Sequence, residues 1–150
     1  MSDVAPAAAL RGAPAWFDDE NGSRALLARL RSLLVDERGF TLDLRTARPV
    51  TAGLAVCADP SRTLRFRFDD WSDHVVLAWL WDASTHLRST GPEPLYLGGW
   101  HPPRSEHVYL DVVRVVPAEG RHLAEMLGRR HRQHAVFDLA RRALVPLAAS

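Results

Sequence analysis

Apolar and polar positions along the chain alternate between two periods, and each switch marks an element. Between Ser23 and Gly39 leucines recur at 26, 27, 30, 33 and 34, the three-and-four spacing of one buried helix face. Ser23 is placed to cap the start and Gly39 to end it, while Arg24, Arg31 and Arg38 fall mainly on the other side. The period then drops to two. Phe40, Leu42 and Leu44 alternate with Thr41, Asp43 and Arg45, which predicts a half-buried strand. Arg48-Pro49 interrupts it, and Val50 to Cys57 predicts a second, less regular strand with a bulge at Gly53. Asp59-Pro60-Ser61 marks a turn. A third strand follows, with Leu64, Phe66 and Phe68 on one face and Thr63, Arg65 and Arg67 on the other.

Helical spacing returns after Asp69-Asp70. Asp70 can serve as N-cap, Asp73 sits in the first turn where the helix dipole favours a carboxylate, and Trp71, Val75, Val76, Trp79, Leu80 and Leu87 supply an apolar stripe. Trp81 lands off that stripe, which predicts one large aromatic side chain left partly exposed. Ser89 to Pro94 reads as a loop.

Leu95 to His101 predicts the next strand, its Gly98 and Gly99 signalling a bulge or a close backbone approach. After a turn at Pro102 to Glu106, Val108, Leu110 and Val112 alternate with His107, Tyr109 and Asp111. Toward Val113, Val115 and Val116 both faces turn apolar, as in a central strand. Pro117 opens a helix from Ala118 to about His131, with Leu123, Met126, Leu127 and Arg130 down one side. Val136, Phe137 and Leu139, then Leu144, Val145 and Leu147, predict two closing strands hairpinned through Ala140-Arg141-Arg142. The order α-β-β-β-α-β-β-α-β-β predicts an α+β fold, a mainly antiparallel sheet with three helices packed largely on one face. Residues 1-16, rich in Ala and Pro, read as a flexible arm, and 17-150 as a single domain.

Composition narrows the chemistry. The 150 residues are 47% hydrophobic and 25% charged, ordinary values for a globular chain, with a formal net charge of +1 that supplies no global field toward nucleic acid or membrane. Every one of the 19 basic residues is arginine. Schiff-base and phosphate-loop lysines are therefore excluded. Cys57 is the only cysteine, which rules out an intrachain disulfide and a thiolate zinc cluster. No run reaches the length of a membrane span, and the first residues lack the pattern of a secretory signal, so the expectation is a cytoplasmic protein without membrane contact.

The stretch GGWHPPRSEHVYLDVVRVV…LGRRHRQHAVFDL carries a resemblance. Gly99-Trp100, Val108 to Val112, Leu127 to Arg129, Gln133 and Ala135 to Leu139 are similar to a block found in uncharacterised proteins of actinobacteria and their phages. The likeness covers roughly the last third of the chain. It implies a phage- or mobile-element-related context and no activity.

Three functional readings follow from the residues. The first is a small non-enzymatic protein acting by protein–protein contact, self-association included, through Trp81, the Trp16-Phe17 pair at the end of the arm, and an exposed sheet edge. The second is a nucleic-acid-binding accessory protein. From Arg121 to Arg142 six arginines face two acids, Glu125 and Asp138, a local balance of +4, and Arg129, Arg130, Arg132, Arg141 and Arg142 could form a phosphate-gripping face. The third is a metal-dependent hydrolase built on His101, His107 and Asp111, two imidazoles and a carboxylate in one strand-turn-strand unit. No nucleophile elbow, phosphate loop, dinucleotide fingerprint or HExxH helix occurs, so no cofactor is expected.

Overall fold

A computed structural model describes residues 20–43, 46–89 and 95–147. Helices α1 (Glu20–Asp36), α2 (Asp73–Ser89) and α3 (Arg121–Arg130) accompany strands β1 (Gly39–Asp43), β2 (Arg48–Pro49), β3 (Leu54–Cys57), β4 (Leu64–Arg67), β5 (Tyr96–Trp100), β6 (His107–Val116), β7 (Ala135–Asp138) and β8 (Ala143–Pro146). All the strands belong to one antiparallel sheet ordered β2-β1-β5-β6-β3-β7-β8, with β4 also on β6. The fold is α+β, with elements in the expected order and one addition. Arg48-Pro49, read as an interruption, forms a two-residue edge strand on β1 (Leu42 opposite Pro49, Asp43 opposite Arg48). An edge position tolerates proline because its missing N–H faces away from the ladder.

Strand β6 is the centre. One of its edges pairs with β5, from Tyr96 opposite Val113 to Trp100 opposite Tyr109. Its other edge carries β3 and β4 end to end, with Cys57 opposite Val113 and Leu64 opposite Leu110. Residues 58–63 leave the sheet between them in a 3-10 turn, Pro60–Arg62, that Asp59 caps by accepting from the Ser61 N–H at 3.1 Å.

The registers assign side chains to faces. Leu42, Leu97, Val108 and Leu110 pack with Leu26, Leu27, Leu30 and Leu34 of α1 and Val76 and Leu80 of α2. On the same face, farther along β6, Leu54, Val56, Val116 and Val136 pack with Ala124 of α3. All three helices therefore cover one face of the sheet. The other face carries Thr41, Trp100, Tyr109, Asp111, Val113 and Phe137. Trp100 and Phe137 touch, ring centroids 5.9 Å apart, although two strands separate β5 from β7. A flat sheet would hold them at least about 14 Å apart, so the sheet curls toward this face, which carries no helix among the described residues. The closure is tied by Arg142, between β7 and β8, which donates to Glu37 Oε1 at 2.8 Å beside the start of β1.

Several boundaries differ from the sequence expectations. Helix α1 begins at Glu20, so Ser23 lies within it instead of capping it. Phe68–Asp70 is a 3-10 turn, and α2 starts at Asp73 with the Ser72 hydroxyl, not Asp70, accepting from the Val75 N–H. Strand β3 starts at Leu54 because Gly53, at φ 103, turns the chain into the sheet. In α3 the buried residues are Ala124 and Gly128, and Leu127 packs partly buried against the core, while Leu123 and Met126, on the side the spacing marks as apolar, stand 46% and 52% exposed. The cause is close approach: a Cβ on Gly128 would lie 2.6 Å from Leu147 Cδ1 and 3.2 Å from Val136 Cγ1. Small residues face the sheet because larger ones do not fit.

Candidate interaction surfaces

Helix α2 presents Val76, Leu80, Ala83 and Ser84 to the core. Trp79, on one flank of that stripe, is held by its indole N–H donating to the Arg62 carbonyl at 2.6 Å, and the Arg62 guanidinium pairs with Asp82. Trp71, just before the helix, donates to Asp73 Oδ1 at 2.7 Å and packs against Phe66 and Phe68. Trp81 lies on the opposite flank and is 48% exposed, as its spacing indicates. Trp16 and Phe17, with the rest of residues 1-16, lie outside the described residues.

The C-terminal arginines do not form one open basic face. Glu125 on α3 accepts from Arg121 at 3.0 Å and lies 3.8 Å from Arg129. Arg141 pairs with Asp138 at 3.8 Å across the hairpin turn, and Arg142 bonds both the carboxylate and the carbonyl of Glu37. Among the described residues, Arg130 and Arg132 alone of the five candidates are exposed without an ion pair. Each of these pairs is a surface contact worth roughly 0–1 kcal/mol, yet each also lowers the charge left to a phosphate.

His101, His107 and Asp111 are kept apart. The His101 ring stands edge-on to Phe68, centroids 5.2 Å apart, with Nε2 bonded to the Ser105 carbonyl at 2.9 Å. His107 begins β6 opposite Arg67. Asp111 is four strand positions farther on, about 13 Å along an extended chain. No group of three or more His, Cys, Asp or Glu side chains among the described residues is placed to hold a metal ion.

Asp111 instead joins partners that the sequence pattern did not single out. The Thr63 hydroxyl and the Cys57 thiol, the latter at 3.9 Å, both donate to its Oδ1. Cys57 ends β3 and Thr63 closes the 58–63 excursion, so Asp111 fastens the break between β3 and β4 to the central strand. Burial pushes the Asp111 carboxyl above its ordinary range, against the hydrogen bonds from Thr63 and Cys57 that favour the charged form. Burial, reinforced by the Asp111 charge, pushes the Cys57 thiol up to about 11.

Both shifts have the same consequence. A group whose folded pKa is raised binds its proton more tightly in the folded state, so its stabilising contribution is complete below the unfolded value and is lost as pH rises through the folded one. For Asp111 that loss begins at the ordinary carboxylate range, about 3.9. An Asp111→Asn variant has no such proton to lose and keeps an oxygen for Thr63. Its Tm relative to the parent should therefore rise between pH 3.5 and pH 7 in thermal melts; a relative Tm that falls with pH would refute the assignment.

Comparison of the chain with protein-family models, with curated proteins and with solved structures found no match.

Proposed function

We propose that this protein is non-enzymatic and acts by contact with another protein, self-association included. The observation that carries the reading is Trp81, a large aromatic side chain held half in solvent while Trp71 and Trp79 pack on the core. Covering its exposed half would remove on the order of 100 Å² of apolar surface from water, about 2–3 kcal/mol. That is the scale of an interface hot spot. The nucleic-acid reading ranks second, on the exposed Arg130 and Arg132, because the other three candidate arginines already face carboxylates.

Sedimentation and light scattering over a concentration series test the leading reading. The apparent mass should rise with concentration. Trp81→Ser should weaken that association about tenfold or more, while stability changes by no more than about 0.5 kcal/mol, as for other exposed substitutions. A chain that stays monomeric throughout, or one that associates equally well without Trp81, would remove self-association through this helix.

A further inference from the structure

Among the described residues the sheet has three edge strands, and hydrogen-bond phase shows what each offers outward. Val50 N–H donates to the Thr41 carbonyl, which places the outward position of β2 at Pro49. Leu147 N–H donates to the His134 carbonyl, which places the outward positions of β8 at Leu144 and Pro146. Both edges thus put a proline where an incoming strand would need a donor, a recognised way of blocking strand addition. Strand β4 differs. Phe68 N–H donates to the Glu106 carbonyl at 2.8 Å, so Leu64 and Phe66 bond to β6 while Arg65 and Arg67 turn their main-chain groups outward. Neither is proline. The Arg67 carbonyl opens the following 3-10 turn, which leaves the Arg65 N–H and C=O and the Arg67 N–H directed away from the sheet.

The side chains say what would fit. Arg65 and Arg67 are exposed and lie on the same face, with Leu64 and Phe66, half-buried, on the other. The Arg65 guanidinium stacks over the Tyr109 ring at 5.8 Å and its Nε donates to the Tyr109 hydroxyl at 3.2 Å, which positions the charge without neutralising it. Arg67 lies 3.4 Å from Glu106, both more than half exposed, a pair weak enough to be exchanged. A second copy of this edge would set arginine opposite arginine, which is repulsive. An acidic strand would set carboxylates there.

We propose that the outer edge of β4 accepts an extended acidic segment of a partner protein, added to the sheet as a further strand, with carboxylates at alternate positions facing Arg65 and Arg67 and apolar residues between them facing Leu64 and Phe66. This deepens the protein-contact reading by naming a partner chemistry, and it does not depend on Trp81.

A fluorescent peptide of alternating glutamate and valine tests it by anisotropy on the full chain. Binding should weaken a few-fold with Arg67→Gln, which removes the charge, and about tenfold or more with Arg67→Pro, which also removes the outward N–H. Arg67 already sits at φ −72, within the range proline imposes, so the fold should survive that change. N-methylating alternate peptide amides should abolish binding in one phase and spare it in the other. Trp81→Ser should leave the peptide affinity unchanged, so that a loss of self-association and a loss of this edge are told apart. Equal binding by both N-methylated peptides, no binding at all, or displacement of the peptide by a single-stranded oligonucleotide at lower concentration would each overturn strand addition by an acidic protein segment.

Discussion

Leu110→Ala is expected to lower the unfolding free energy by about 2–5 kcal/mol, the range for truncating a fully enclosed leucine. For a chain of this size that is a fall in Tm on the order of 10 °C. Leu110 has no solvent exposure and stands in β6 between Leu64 of β4 and Gly99 of β5. Its contacts extend to the helix layer through the cluster that holds Leu30, Leu34 and Leu80. The vacated space cannot be refilled cheaply. Gly99 has no side chain to move in, and the Phe40 ring already occupies the space above it, where a Cβ would lie 2.2 Å from Phe40 Cε2. Leu144→Ala on the exposed edge strand is the control, and it should change stability by no more than about 0.5 kcal/mol. Chemical denaturation of both variants checks the pair. A Leu110→Ala loss below about 1 kcal/mol would mean that the sheet and the first two helices do not share one core.

The residues behind that prediction were readable in the sequence, and the reason is periodicity. Val108, Leu110 and Val112 alternate with polar neighbours, and the switch to two apolar faces near Val113 marks a strand paired on both sides, as β6 is. The leucines of α1 gave its inward face, and the position of Trp81 relative to Val76 and Leu80 gave its exposure. What stayed hidden depends on pairing across the chain. Thr63 and Cys57 are 48 and 54 residues from Asp111, and only the common register on β6 brings them to one oxygen. The apolar side of α3 marked by Leu123, Met126 and Leu127 is not its most buried face, because Ala124 and Gly128 give almost no hydropathy signal, while Leu123 and Met126 give a strong one. The contrast between the β4 edge and those closed by Pro49 and Pro146 is a matter of hydrogen-bond phase, which no single strand's sequence contains.

Gly53 joins a visible signal to an invisible cause. A glycine before a strand suggests irregularity, but its necessity comes from two independent facts of the fold. Its φ of 103 lies in a region that L residues rarely adopt, at a cost of order 1–3 kcal/mol. A Cβ there would also lie 2.7 Å from Val115 Cγ1 and 2.9 Å from the Val116 carbonyl oxygen, and the second of these is backbone of the central strand. Overpacking of that kind typically costs a further 1–3 kcal/mol or so. Gly53→Ala should therefore cost about 2–6 kcal/mol, since the strain and the contact add. The position also fixes β7, because the Gly53 carbonyl accepts from the Leu139 N–H at 2.9 Å, so amides of β7 should lose hydrogen-exchange protection in the variant. Gly98→Ala separates the two causes. Its Cβ would meet Val113 Cγ1 at 2.8 Å, a side-chain methyl that can rotate away, and no positive φ is involved. The Gly98 variant should be the more stable of the two by at least about 1 kcal/mol. Equal losses would show that crowding, not backbone strain, fixes glycine at the entry to β3.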